Sequence, residues 1–235
     1  MPRTLNVPKE RVIGLAFEPP QFLNITPDFI KYAEKHIGVY FIGIPGLPPP
    51  FVSHFGFMWH CGPASAAEAV AVPKTKLMSI MVSDKGHAPG HKMRHDLVQK
   101  ILRTKLPIDI YGRGCKYYNI PDDRLKGEFT EVEPYAGYKY HIAIENFQTE
   151  SYFSEKVMNP LLCGTIPIYY GCTTINKYFP NCIIPLGDSV DEAFRVLVEI
   201  CLKGGPDSNI DIDTIKNKIN LIKFMKDWDL TKRLV

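Results

Sequence analysis

The chain has 235 residues, 45% of them hydrophobic, which is enough apolar material for one large domain or two small ones. A net charge of +3 from evenly scattered Lys and Arg argues against nucleic acid as a partner, and no apolar run nears the roughly 20 residues of a membrane helix. The cysteines at 61, 115, 163, 172, 182 and 201 form no Cys-x-x-Cys pair, which speaks against a zinc knuckle or a disulfide framework and for reduced thiols. With the polar start "MPRTLNVPKER", the expectation is a cytoplasmic or otherwise soluble chain without a signal peptide or membrane segment.

In chain order, "RVIGLAF" from Arg11 predicts a short strand. "TPDFIKYAEKHIG" predicts a helix that starts at Thr26-Pro27-Asp28 and stops at Gly38, and "VYFIGI" a second strand. From Pro45 to Pro73 the breakers in "GIPGLPPPF" and "CGPASAAEAVAVP" leave little periodicity, and a boundary between two lobes is expected there. "KLMSIMVS" predicts a strand, "HKMRHDLVQKILRT" an amphipathic helix and "PIDIYG" a strand. "YHIAI" reads as a strand buried on both faces, Ser154 as the N-cap of a helix ending at Gly164, and "TIPIYYG" as the next strand. Beyond Asp211, Ile212, Ile215, Ile219 and Ile222 form the stripe of a last helix. Three parts result: residues 1–75 as a reduced N-terminal lobe, 76–205 as a Rossmann-like lobe, and 206–235 as a C-terminal helix.

Strands and helices that alternate over 76–205 build a parallel sheet, and such sheets bind ligands at their carboxyl edge. Glu145 and Asn146 close one strand there, while Glu155 and Lys156 open the next helix. A helix N-terminus with a lysine beside it invites a phosphate, and a carboxylate in the same place calls for sugar hydroxyls. Together they suit a nucleotide or a nucleotide-sugar.

The run "IENFQTESYFSEKVMNPLLCGTIPIYYG" resembles the donor-binding signature of glycosyltransferase family 10, the α-1,3/α-1,4-fucosyltransferases, with Glu145, Asn146, Tyr152, Glu155, Lys156, Gly164 and Pro167 in step. "KLMSIMVSDKGHAPGHKMRHDLVQKIL" resembles the family's Val-Ser-Asn strand and Arg-bearing helix, and "IDIYGRGC" its next strand end. "LAFEPPQF" resembles its Asn-Phe-Glu-Ser-Pro segment. The chain departs from the pattern at Ile144, Ser154 and Asp84, and Asp84 brings a negative charge towards a diphosphate site.

The resemblance implies a GT-B-like α/β fold and inverting transfer of fucose from GDP-fucose to a hydroxyl of an oligosaccharide or glycoconjugate. It implies Glu18 as the base, shielded by Phe17, Pro19 and Pro20, and Arg94, Asn146, Tyr152, Glu155 and Lys156 as donor ligands. Lys92 and Glu145 are further donor-site candidates. No cofactor or metal is expected, because Arg94, Lys156 and a helix terminus carry the neutralising charge. Two alternatives stay open: a non-catalytic nucleotide-sugar or glycan-binding module, and a transferase for another nucleotide-sugar. Asp211-Ile212-Asp213 has the form of a metal-binding Asp-x-Asp but sits where a cap belongs, and Pro89-Gly90 interrupts the spacing of His87, His91 and His95.

Overall fold

The computed structural model describes residues 6–55, 59–207 and 210–220. The first strand, β1 (Ile13–Leu15), is followed by α1 (Pro20–Leu23) and α2 (Pro27–His36) before β2 (Val39–Ile42). Thr26 caps α2 by accepting from the Phe29 N–H at 3.2 Å, with Pro27 in the first turn, as the sequence signal requires. These strands and β3 (Phe51–Ser53) form a parallel three-stranded sheet in the order β1-β2-β3. Ala33, Ile37, Ile42 and Phe51 make its small core.

The segment expected to be irregular contains β3 and a helix, α3 (Pro63–Ala71). Its sequence PASAAEAVA is rich in alanine, the best helix former, yet lacks large apolar residues to mark one face. Ala66 and Ala69 pack into the core of the larger lobe.

That lobe comprises β4 (Lys76–Met81), α4 (Pro89–Leu102), β5 (Ile108–Tyr111), β6 (Leu125–Gly127), α5 (Glu133–Ala136), β7 (Tyr138–Thr149) and α6 (Glu155–Leu162), then β8 (Ile166–Cys172), α7 (Ile175–Tyr178), β9 (Ile184–Pro185) and α8 (Val190–Lys203). Its six parallel strands run β6-β5-β4-β7-β8-β9. Counted in sequence order this is the doubly wound arrangement 3-2-1-4-5-6, whose direction reverses between β4 and β7. One face packs on α4 and α8 through Leu97, Ile101, Ala193 and Leu197, and the other on α6 through Val157, Met158 and Leu161. The last helix, α9 (Ile212–Ile219), buries Ile215 against this second face; Ile222 lies outside the described residues.

β7 runs three residues past the expected end at Asn146. Its regular pairing with β8 nonetheless ends at Ile144↔Tyr170 and resumes at Thr149↔Cys172, so Glu145–Gln148 stand opposite Gly171 alone. A bulge of this kind turns side chains out of the ladder. Here it directs Asn146 to the reversal point of the sheet. The N-terminus of α4 lies directly on the same bulge: a Cβ on Gly90 would fall 1.8 Å from the Glu145 carbonyl oxygen.

Two buried histidines are neutral. Burial pushes His141 on β7 down to about 3, and burial followed by Arg94, His87, Lys85 and Lys156 pushes His91 on α4 down to about 4.

Two outcomes follow from this packing. Gly90→Ala should destabilise the chain by roughly 1–3 kcal/mol, since the backbone of β7 must move, measurable by urea unfolding. Stability should also fall with acid. Between a histidine's ordinary value of 6.5 and its folded value, the unfolded chain binds the extra proton. Stability is therefore complete above about pH 6.5 and is lost as pH falls towards about 4, by up to about 1.4 kcal/mol per unit for each histidine. A urea midpoint that stays constant between about pH 7 and pH 5 would contradict this.

Candidate active site

The reversal of strand order between β4 and β7 opens a crevice at the carboxyl edge of the sheet. It holds a cavity of about 330 Å³ bounded by Val82 and Ser83 after β4, Gly112 and Arg113 after β5, Asn146 after β7, Arg94 on α4 and Glu155-Lys156 on α6. A second cavity of about 380 Å³ shares Lys85, His91, Asn146, Glu155 and Lys156 with the first. Phe17, Glu18 and Phe22 close it from the small lobe. The two lobes touch here: Phe22 packs edge-on to Phe147 at 5.0 Å and against His87 at 5.9 Å, and the hydroxyls of Ser53 and Ser151 are 3.4 Å apart.

The frame beneath is polar and buried. Glu145 is 1% exposed, and its carboxylate accepts from the Ser154 N–H at 2.8 Å and from the Ser154 hydroxyl at 2.9 and 2.8 Å. Lys156 Nζ lies 3.6 Å from the same carboxylate, donates to Glu155 Oε1 at 2.9 Å and to Ser154 Oγ at 3.1 Å. Burial raises the Glu145 pKa, with Lys156 opposing. Burial would lower Lys156, but Glu145 and Glu155 outweigh it and the net shift is upward. For Glu155 burial pushes up, Lys156 pulls down, and the net is downward. Lys156 is thus a cation and Glu155 an anion at neutral pH.

Arg94 is 6% exposed and donates through Nη1 to the Ile144 carbonyl and through Nη2 to Asn146 Oδ1 at 2.9 Å. Burial lowers it to about 10, against Glu145 and Glu155. It keeps its charge, has N–H groups beyond those used in these bonds, and lines the first cavity. Tyr152 is buried and borders the second cavity; burial, then Glu145, Glu155 and Glu18, raises its phenol, so the hydroxyl stays protonated.

The structure therefore brings Glu18, Arg94, Asn146, Tyr152, Glu155 and Lys156 around one pair of joined cavities. It corrects other expectations. Lys92 is exposed on α4 and borders neither cavity, because helical spacing turns it away from Arg94. Glu145 borders neither as well: its carboxylate sits at the N-terminus of α6, where a phosphate was expected, and holds Ser154. Glu18 is exposed, and Phe17, which was to shield it, is itself 54% exposed. Asp84 borders neither cavity; its carboxylate meets Lys116 at 3.4 Å and, at 3.9 Å, Arg113, which lines the first cavity.

The competing metal motifs have structural roles. Asp211 caps α9, accepting from the Thr214 N–H at 3.1 Å and hydroxyl at 2.6 Å. His95 bonds the Tyr118 hydroxyl at 2.6 Å and the Ser83 carbonyl at 3.0 Å, while His91 accepts from the Ala88 N–H at 3.2 Å. Among the described residues no group of three His, Cys, Asp or Glu is placed to hold a metal ion.

Several cavity residues were missed in the sequence. Lys85, Gly112 and Arg113 follow strand ends, and the carboxyl-edge rule could have found them. His141, a polar residue inside a buried strand, could have been found by that anomaly, but Phe22, Phe129 and Trp59 enter through loop packing that leaves no local pattern.

Comparison with known proteins agrees with this geometry. Residues 71–184 match the model of glycosyltransferase family 10 (fucosyltransferase), C-terminal region. A protein of Acanthamoeba polyphaga mimivirus provisionally named a fucosyltransferase is 29% identical over 182 residues, 67% of this chain and 29% of its own length. Alpha-(1,3)-fucosyltransferase B of Drosophila melanogaster is 35% identical over 94 residues, 37% of this chain and 21% of the relative. The alignments thus span less than a third of the length of these curated relatives. A crystal structure of an alpha1,3-fucosyltransferase with GDP shares the fold at TM-score 0.54 and 14% identity, over 90% of this chain and 72% of that one. The architecture is therefore GT-B-like, and residues 71–184 are similar to the C-terminal region of glycosyltransferase family 10, the fucosyltransferases.

Proposed function

We propose that the chain is an inverting fucosyltransferase that moves fucose from GDP-fucose to a hydroxyl of a glycan acceptor. One observation carries this reading: the cavity lined by Arg94, Asn146, Glu155 and Lys156 shares Asn146, Glu155 and Lys156 with the one that Glu18 lines from the opposite lobe. The nucleotide occupies the first cavity and the sugar the second, with the diphosphate between Arg94 and Lys156. Asn146, fixed by Arg94, and the Glu155 carboxylate offer hydrogen bonds to ribose or sugar hydroxyls, and the protonated Tyr152 hydroxyl offers another.

Atoms balance in a single displacement. The acceptor oxygen attacks the anomeric carbon from the face opposite the diphosphate, and its proton passes to the Glu18 carboxylate. The bond from the anomeric carbon to the β-phosphate oxygen breaks, and its electron pair leaves with GDP. Arg94 and Lys156 stabilise the charge that grows there. To meet the phosphate, Lys156 exchanges part of its bonding to Ser154 and Glu155, so its ammonium is already placed before the donor arrives.

A second reading, a nucleotide-sugar-binding module without turnover, is favoured by one feature: Glu18 stands exposed with little apolar shielding. Glu18→Gln separates the two. Under the enzyme reading, turnover falls by about 10²–10⁴ while GDP-fucose affinity barely changes. A native chain that binds donor and transfers to no galactose- or N-acetylglucosamine-containing acceptor supports the module instead.

Charge neutralisation by Arg94 and Lys156, with Asp211 committed to a cap, leads to a further proposal: transfer requires no divalent metal. Activity should survive excess chelator and Asp211→Asn/Asp213→Asn. Its loss under both treatments, in a chain that stays folded, would make the reaction metal-dependent.

A further inference from the structure

His91 sits on the first turn of α4, is 3% exposed, and borders both cavities. Because its Nδ1 accepts the Ala88 N–H, the ring proton resides on Nε2. Nε2 has no protein partner among the described residues, and no buried side-chain nitrogen or oxygen among them lacks one. The small surface that His91 exposes therefore includes Nε2, and it opens into the cavities.

The surroundings keep this ring neutral. Burial acts first, followed by Arg94 on the same helix, His87 and Lys85 in the loop before it, and Lys156 on α6. The acidic groups nearby are Glu145 and Glu155, both paired with Lys156, and Glu18 across the second cavity. Protonation at Nδ1 would also set its N–H against that of Ala88, removing the bond that orients the ring.

We propose that His91 is a neutral hydrogen-bond donor to the β-phosphate of the nucleotide-sugar, the group that departs. The proposal rests on the GDP-sugar reading above. With the nucleotide in one cavity and the sugar in the other, the diphosphate lies against the residues common to both, and His91 is the one among them whose donor is held by a backbone bond. As the anomeric C–O bond breaks, charge accumulates on the β-phosphate and the Nε2–H bond to it strengthens. A neutral donor supplies this without adding a further cation beside Arg94, Lys156 and Lys85, whose repulsion would cost stability in the empty site.

The test is calorimetry of GDP and GMP with the parent, His91→Leu and His91→Gln between about pH 5.5 and 8. His91→Leu should bind GDP about tenfold or more weakly and GMP nearly as the parent does, while His91→Gln, which keeps a donor, recovers part of the loss. The parent should take up no proton with GDP beyond what the nucleotide itself binds, read from buffers of different ionisation enthalpy. With GDP-fucose, kcat should fall more than KM rises, as for a contact that strengthens in the transition state. Unchanged GDP affinity in both variants overturns the proposal. Equal losses for GDP and GMP overturn the β-phosphate assignment, and proton uptake that disappears with His91 overturns the neutral donor. A parent that binds neither nucleotide removes the donor-site reading itself. If His91→Leu does not fold, His91→Gln against the shorter His91→Asn makes the same comparison.

Discussion

The site depends on one buried carboxylate. Glu145 is all but excluded from water, and left alone it would be neutral or would unfold its surroundings. Two N–H and O–H donors from Ser154 and the ammonium of Lys156 make its charge tolerable. In return it holds the first turn of α6 at the end of β7, so the bulge, the helix start and Lys156 form one unit. Gly171 belongs to the same constraint, since a Cβ there would fall 2.4 Å from the Glu145 side chain.

Around that unit the charges are held ready rather than free. Arg94 is bonded to the Ile144 carbonyl and to Asn146, and Lys156 is surrounded by Ser154, Glu155 and Glu145. Keeping such cations buried is costly, and their pairing roughly offsets the loss of hydration. Under the proposed reading, a diphosphate would meet cations already placed by these bonds, which is where a positioned site gains over water. The second cavity is built differently: the small lobe contributes Phe17, Glu18 and Phe22 to its lining, with Phe22 packed on His87 and Phe147, so its shape depends on how the lobes sit together.

Elsewhere the larger lobe ties its helices together with a lysine. Lys74 Nζ donates to the carbonyls of Cys163 at 2.7 Å, Ala136 at 3.0 Å and Tyr135 at 3.1 Å, and to the Thr165 hydroxyl at 3.0 Å. Those carbonyls end α5 and α6, where helices leave acceptors unsatisfied and carry partial negative charge. One side chain therefore fixes the far end of α6 while Glu145 fixes its beginning, and Lys156 is positioned from both sides.

The sequence by itself determined the alternation of strands and helices from Lys76 onward, because buried parallel strands are uniformly apolar and their helices start and stop at local signals such as Ser154 and Gly164. It also located Asn146, Glu155 and Lys156 at the edge of the sheet, since the carboxyl ends of parallel strands are fixed by chain direction alone, whereas Arg94 was reached through the family resemblance. The Ala-rich helix α3 was hidden, as small residues bury no more strongly than their neighbours and leave no stripe. The tertiary structure decided which of these groups meet a ligand. Helical phase turned Lys92 to solvent, the bulge turned Glu145 into the interior, and Asp84 is paired with Arg113 and Lys116 rather than bordering the cavities itself. The joining of His91 and Glu18 to the same space arises from contacts between residues far apart in the chain, and such contacts are set by packing, for which no local pattern exists.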